Sequence, residues 1–181
     1  MKKTTKSLLI FGGIILAIVA IVLVWFGLSQ PKYLTDSDFL YDTAVQYLLD
    51  QDNSPEKNNK GYHRFADYRG YGITEDDNYK YAYMWIFDES FYVNDKDHIK
   101  VGTGGSMPYK FFFDKTTNAI IKYETPQDGA SYTSSIKKMF PSKVAMKILK
   151  SSGFDDTKLM AEVKEYYNYL PDAEIYYGPE E

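Results

Sequence analysis

The sequence predicts an α+β protein in which an N-terminal transmembrane helix precedes a helix, an antiparallel meander of about four strands, and C-terminal helices packed on one sheet face. Three observations predict this: an uncharged apolar run at residues 8–28, alternation of period two over residues 62–124, and helical periodicity on either side of it. We therefore divide the chain into a cytoplasmic N-terminus, a transmembrane anchor, a linker, an extracytoplasmic domain and an acidic tail. Their ranges are 1–7, 8–28, 29–34, 35–170 and 171–181.

The apolar run is long enough to cross a bilayer. It contains 21 uncharged residues, of which fifteen are Leu, Ile, Val or Phe. At about 1.5 Å of rise per residue it extends roughly 31 Å as a helix, close to the thickness of the hydrocarbon core. Lys2, Lys3 and Lys6 precede it, so the positive-inside rule places the N-terminus in the cytoplasm and residues 31–181 outside the cell.

A cleaved signal peptide is the alternative interpretation of this run. Gly27 and Ser29 form a small-residue pair of the kind that signal peptidases recognise. The hydrophobic region of a cleaved signal usually has about 7–15 residues, and this one is longer, which favours a retained single-pass membrane anchor.

The composition of the exported part excludes several partners. It holds all 25 acidic residues and 18 of the 21 basic ones, so its net charge is −7. Such a charge disfavours nucleic acid and other polyanions. The chain has no cysteine, which rules out disulfides, thiolate metal sites and a cysteine-linked lipid, and which we associate with exported proteins of Gram-positive bacteria.

Periodicity predicts the elements of the domain. Leu40, Ala44 and Leu48 form a helical stripe that should face the sheet. Strands are expected over 62–72 and 78–92, the second bent near Glu89, and then over 98–101, 109–113 and 119–124, joined by short turns that favour an antiparallel meander. Helices are expected over 131–139, 142–150 and 156–169, ending before Pro141, Gly153 and Pro171.

Aromatic residues alternate along the second predicted strand. Five rings share one face of it, and Lys80, Ala82, Met84 and Ile86 occupy the other. Either this aromatic face is core, with cross-strand ring pairing, or it is a partly exposed platform for a ligand or partner. The aromatic residues are Tyr79, Tyr81, Tyr83, Trp85 and Phe87.

The glycine-bearing segment 102–108 interrupts the predicted strand and is a second candidate for contact with a partner. Gly104, Gly105 and Ser106 are its candidate contact residues, together with Asp128 in a later turn. The segment lacks the ending of a phosphate-binding loop, and Pro108 occupies the place of the second glycine of a nucleophile elbow. A structural bulge is the favoured interpretation of these glycines.

No catalytic or metal-binding pattern is visible, and we expect no cofactor. His63 and His98 are the only histidines and lack the spacing of a zinc hydrolase. Acidic pairs for glycoside hydrolysis could be formed by many residues, among them Asp88 and Glu89, for which solvated positions in turns are the default interpretation.

One series of residues has a moderately specific spacing. It comprises Tyr123, Pro126, Asp128, Gly129, Tyr132, Ile136, Phe140 and Pro141, with Gly102, Gly104, Ser106 and Pro108. Through this series the chain resembles, over roughly residues 62–149, an uncharacterised extracytoplasmic domain of Gram-positive bacteria. The resemblance implies a unit found alone behind a membrane anchor or appended to antibiotic-sensing transmembrane metallopeptidase receptors, and it implies no catalytic residue.

Two functions follow as expectations. The first is a membrane-anchored extracytoplasmic module without catalytic activity, which binds an envelope protein or peptide in a sensing, immunity or inhibitory role. The second is a cell-envelope hydrolase that uses an acidic pair.

Overall fold

A computed structural model describes residues 18–22, 24, 32–34, 38–53, 61–94, 98–170 and 175–176 of the chain. The chain divides into two compact units, Met1–Lys32 and Tyr33–Glu181. Residues 18–22 are helical and exposed. Most of the predicted anchor, residues 8–28, lies outside the described residues, and no helix within the described ranges has the length and apolarity needed to span a membrane.

The second unit, together with Lys32 at the start of its first strand, is an α+β domain built on a curled antiparallel sheet. Its elements, in chain order, are β1 (Lys32–Leu34), α1 (Asp38–Asp52), β2 (His63–Glu75), β3 (Tyr79–Val93), β4 (Ile99–Asp114), β5 (Ile120–Glu124), a 3-10 turn (Gly129–Ser131), α2 (Tyr132–Met139), α3 (Ser142–Lys150), α4 (Thr157–Tyr166) and β6 (Ile175–Tyr176).

The antiparallel meander is confirmed. The strands follow the order β1-β2-β3-β4-β5, and β2 to β5 pair antiparallel with their neighbours in the chain. The turns are stabilised locally: Asp76 Oδ1 accepts hydrogen bonds from the backbone N–H groups of Asn78 and Tyr79, and Asp114 Oδ1 accepts those of Thr116 and Thr117. Such Asx turns join long strands with few residues.

The expected number of strands is wrong, because two short strands extend the sheet. Within the described residues the sheet has six strands. Residues 32–34, which were assigned to the linker, form β1, and Ile175–Tyr176, which were assigned to the tail, form β6 and pair parallel with Ile99 and Lys100. These two strands are too short to show a period in the sequence, so only their pairing partners reveal them.

Helix α1 covers one face of the sheet. The even-numbered side chains of β3, Ala82, Met84 and Ile86, are almost completely buried against Leu40 and Ala44 of this helix and neighbouring residues. The stripe predicted on α1 therefore faces the sheet as expected.

Helices α2, α3 and α4 cover the opposite face, so the helices do not all lie on one side. Tyr83 of β3 is 4% exposed and packs with Ile136 of α2 and Ile148 of α3, while Phe91 packs with Leu159 of α4. Adjacent residues of β3, such as Tyr83 and Met84, are thus buried in opposite directions. The C-terminal helices therefore share one sheet face, as predicted, and α1 covers the other because neither face of this strand is polar enough to remain in water.

The expected interruption of the fourth strand is also corrected. Residues 99–114 form one continuous strand, and the glycine segment lies inside it. The register between β3 and β4 shifts between Glu89 and Phe91, the place where the sequence predicts a bend. Ser90 Oγ bridges the shift by bonding the backbone N–H and C=O of Thr103, each at 2.9 Å. The bulge interpretation of the segment is therefore confirmed.

Candidate functional site

A cleft lies where the C-terminal end of α1 meets the middle of the sheet, with a volume of about 290 Å³. Leu48, Leu49 and Asp52 of α1 form one side, and Arg64 of β2 and Asp88 of β3 lie in its interior. The opposite side is formed by β4 and β5. Its residues are Thr103, Gly104, Gly105, Met107, Tyr109 and Tyr123.

Arg64 connects the elements that surround the cleft. Its Nη1 donates to Asp88 Oδ2, its Nη2 lies 3.1 Å from Thr103 Oγ1, and its Nε lies 3.5 Å from Asp52 Oδ2. Its backbone N–H donates to Asn53 Oδ1 at 2.8 Å, and its C=O accepts from Asn53 Nδ2 at 3.0 Å. The guanidinium is thereby fixed in one orientation by three elements, as a binding site requires.

Asp88 is a largely buried carboxylate. Its side chain is 16% exposed, and it shares its face of β3 with Met84 and Ile86. Burial raises the pKa of the Asp88 carboxyl above its ordinary value, while the charge and hydrogen bond of Arg64 lower it. Burial and Asp88 also raise the pKa of the Tyr109 hydroxyl to about 12. Titratable groups perturbed by burial in a concave site are typical of functional sites.

Glycines of β4 allow the backbone to approach the cleft closely. A Cβ at Gly104 would lie 2.7 Å from the backbone oxygen of Asp88, and a Cβ at Gly105 would lie 3.1 Å from Asp88 Oδ1. A larger residue at position 104 would collide with backbone, and one at position 105 would crowd the carboxylate. Gly104 and Gly105, two of the predicted contact residues, therefore border this cleft.

Ser106 belongs to the other side of the sheet. Its Oγ accepts a hydrogen bond from Trp85 Nε1 at 2.8 Å, and Trp85 packs beside the cluster formed with α2 and α3. Asp128 is exposed and precedes the 3-10 turn without a side-chain capping bond. The structure thus separates Ser106 and Asp128 from the two glycines.

The aromatic face of β3 is divided between core and surface. Tyr83 is buried and its hydroxyl lies 2.8 Å from Thr74 Oγ1, whereas Tyr79, Tyr81 and Trp85 are half-buried. Burial raises the pKa of Tyr83 to about 12. The ladder is therefore core at Tyr83 and partly exposed at Tyr79, Tyr81 and Trp85.

Lysine side chains cover the half-buried end of the ladder. The Lys110 ammonium lies 4.8 Å from the ring centre of Tyr81, and the Lys122 ammonium lies 4.1 Å from that of Phe112. Lys122 also pairs with Glu124 at 2.6 Å. A lysine ammonium group already lies over each of these rings, so this end of the ladder is less accessible to a partner than the alternation of aromatic residues in the sequence suggests.

No pattern in the sequence singles out Arg64, and Asp88, within the strand predicted over 78–92, is expected to be solvated. Asp88 does lie in β3, but its side chain is half-buried beside Arg64. Its position in the sequence carried a usable signal, because it continues the even-numbered buried series of Ala82, Met84 and Ile86. A charge at the next position of a buried face indicates a partner or a site.

A second concavity lies between α1 and the turn that precedes β5. It is more open, with a volume of about 540 Å³, and its sides include Phe39, Tyr47 and Ile120. Among the described residues no group of His, Asp and Glu side chains is arranged to hold a metal ion. We therefore regard the smaller cleft, with its fixed charged pair, as the candidate site.

Comparison with protein-family models, with curated proteins and with solved structures finds no match to this chain. The class of protein is therefore defined by fold and site alone: an α+β domain with helices on both sheet faces and a charged cleft at the end of α1.

Proposed function

We propose that this chain is a membrane-anchored extracytoplasmic binding module that holds a partner in the cleft around Arg64 and Asp88. A sensing, immunity or inhibitory role belongs to this class. The anchor is the apolar run of residues 8–28, and the lysines before it orient the domain outward. One observation carries the binding role: the Arg64–Asp88 pair is only partly accessible, and its guanidinium is held by α1, β3 and β4 inside a cleft of about 290 Å³.

The preference for binding over hydrolysis rests on the state of the two carboxylates. Asp52 and Asp88 lie on either side of one guanidinium, and both interact with it. The raised pKa of Asp88 supports the alternative, a cell-envelope hydrolase with an acidic pair, because a general acid needs such a shift. A carboxylate already paired with arginine is poorly placed to donate a proton, so we give binding precedence.

Site-specific crosslinking in intact cells tests the proposal. A photoreactive amino acid replaces Met107, which borders the cleft and is 36% exposed, in the full-length chain expressed in its own cells. We expect a discrete adduct that disappears with Asp88→Asn and that protease added to intact cells removes. The matched control carries the photoreactive group in place of Met146 on α3, which is 56% exposed.

The outcome against the proposal is equally concrete. If positions 107 and 146 yield the same adducts, or if Asp88→Asn leaves the adduct at position 107 unchanged, the cleft does not hold the partner. If the adduct survives external protease while control surface proteins are digested, the outward orientation is wrong.

A further inference from the structure

Among the residues that the structure describes, the outer edge of β4 has no pairing strand over residues 101–109. β6 pairs with Ile99 and Lys100, and β5 pairs with residues 110–113. Both lie on the side of β4 away from β3, so in the part of the chain that the structure describes residues 101–109 pair with β3 only. Alternate residues of a strand direct their N–H and C=O groups to opposite sides, so this stretch presents backbone groups to a further strand.

This edge carries two features that protect sheet edges, the bulge near Thr103 and Pro108, but it has no charged side chain. Residues 102–108 contain no charged side chain, and Thr103, Gly104, Ser106 and Met107 are exposed. Three glycines leave the edge without side chains that would hold another backbone away. Pro108 is the one residue of this stretch that has no backbone N–H to donate, and it lies near the place where β5 begins to pair with β4. The gap is therefore compatible with one added strand of about nine residues.

The open edge and the cleft are continuous. Thr103, Gly104 and Gly105 belong to both, and Gly105 shares a face of the sheet with Asp88, its partner in the β3 register. A strand added about 4.8 Å from β4 would direct every second side chain towards this face. Such a side chain would enter the cleft beside Asp88.

The charges around the edge favour a basic side chain. Arg64 occupies Oδ2 of Asp88, while Oδ1 of Asp88 faces the glycines that border the cleft. On the other face of β3, burial, Asp156 and Asp88 raise the pKa of Glu89. With a net charge of −7 over residues 31–181, the domain attracts cations at long range.

The remaining sides of the cleft fit a lysine. Leu48, Ile86 and Met107 offer apolar surface to its aliphatic stem. The rings of Tyr109 and Tyr123, whose centres are 5.7 Å apart, offer faces to its ammonium group.

We propose that the open edge of β4 accepts a lysine-containing extended segment of a partner protein as an additional strand, with one lysine in the cleft beside Asp88. This inference rests on the proposed binding function and adds the class of partner to it. Backbone pairing along residues 101–109 supplies affinity, and the cleft supplies the preference for lysine.

Binding of synthetic peptides to the full-length chain in detergent micelles tests this proposal. The probe is a fluorescently labelled peptide of about nine residues in which lysine alternates with threonine, measured by anisotropy. In two further peptides, every second backbone amide carries an N-methyl group. The methyl groups lie along one edge of the extended chain in the first peptide and along the opposite edge in the second. Because a strand added to a single edge pairs through alternate amides, we expect one methylated peptide to lose affinity about 10-fold or more and the other to keep it.

A second pair of measurements tests the cleft. Replacing the lysines of the probe by norleucine, which keeps the stem without the charge, should weaken binding about 10-fold, and so should Asp88→Asn. Asp77→Asn is the matched protein control, since Asp77 is an exposed residue in the turn at the far end of β3. The norleucine peptide keeps the test valid if Asp88→Asn fails to fold.

Several results would overturn the proposal. They are no binding of the lysine peptide, equal binding of both methylated peptides, and equal binding of the norleucine peptide. Binding that appears only after removal of residues 177–181, or only when the protein is diluted from a dimer, would assign the edge to the chain's own terminus or to a second copy. An Asp88-dependent crosslink that persists in cells while every peptide fails would preserve the binding function and remove only the added strand.

Discussion

Single residues decide which members of the aromatic ladder are structural. Tyr83 and Tyr81 are two positions apart in β3 and identical in type, yet only Tyr83 is fully enclosed by α2 and α3. The hydroxyl of Tyr81 donates to the exposed Asp76, whereas that of Tyr83 meets the buried Thr74. The alternation in the sequence predicts the same face and the same burial for both tyrosines. Only the packing of α2 and α3 makes their burial different.

This difference predicts unequal effects of the same substitution. Tyr83→Ala should destabilise the domain by about 3–5 kcal/mol, because it opens a cavity and leaves the Thr74 hydroxyl without its partner. Tyr81→Ala should cost about 1–2 kcal/mol, because that ring already contacts water. Urea titrations of the full-length chain, read by pulse proteolysis, measure both. Equal losses would show that the half-buried end of the ladder is also core.

At the scale of elements, the contact between α1 and β2 depends on a glycine. A Cβ at Gly70 would lie 2.7 Å from Cζ of Tyr41, a residue of α1 that is 4% exposed. The Tyr41 hydroxyl accepts a hydrogen bond from the Gly72 N–H at 2.7 Å, so the ring cannot move away freely. The register shift between Gly70 and Gly72 occurs at this same contact.

We therefore expect Gly70→Ala to destabilise the domain by about 1–3 kcal/mol through overpacking of α1. The urea midpoint of the full-length variant measures this effect. Gly70→Ala combined with Tyr41→Leu, which removes the end of the ring, should cost less than the sum of the two single changes. Additive losses would contradict a direct collision between these residues.

The elements themselves were largely predictable. Helix α3, Ser142–Lys150, has the predicted bounds because Pro141 and the apolar spacing are local signals. Strands β2, β3 and β5 lie within about three residues of the predicted ranges because each carries its own period. The sequence did not predict that β4 is continuous. Its glycines are needed because Ser90 and Asp88 of the neighbouring strand lie close to the β4 backbone, and these contacts cannot be read from the sequence of β4 alone.

On the scale of the whole molecule, stability should depend on pH through His63. This residue stacks on Tyr166 of α4 with ring centres 4.1 Å apart and also contacts the ring of Phe65. Burial lowers the pKa of His63 below its ordinary value of 6.5. Between the lowered and the ordinary value the unfolded chain binds more protons, so stability falls as pH decreases through this window.

The check is a comparison of urea midpoints between pH 7.5 and 5.5. We expect the wild-type midpoint to fall on acidification and His63→Gln to reduce that fall. Asp88 and Glu89 act in the opposite direction at lower pH because their pKa values are raised, so the difference between the two proteins isolates His63. An identical pH dependence in both would exclude His63 as the source.

By itself, the sequence determined the α+β class, the order of the helices and of strands β2 to β5, and the meander, because hydrophobic periods and turn residues act over a few positions. It also carried the apolar run from which the membrane anchor is predicted. Only the tertiary structure decided that both sheet faces are covered and that Arg64, Asp88 and Thr103 meet at one cleft. Contacts between residues 24 to 39 positions apart depend on strand register and on the place where α1 packs, which no local pattern encodes.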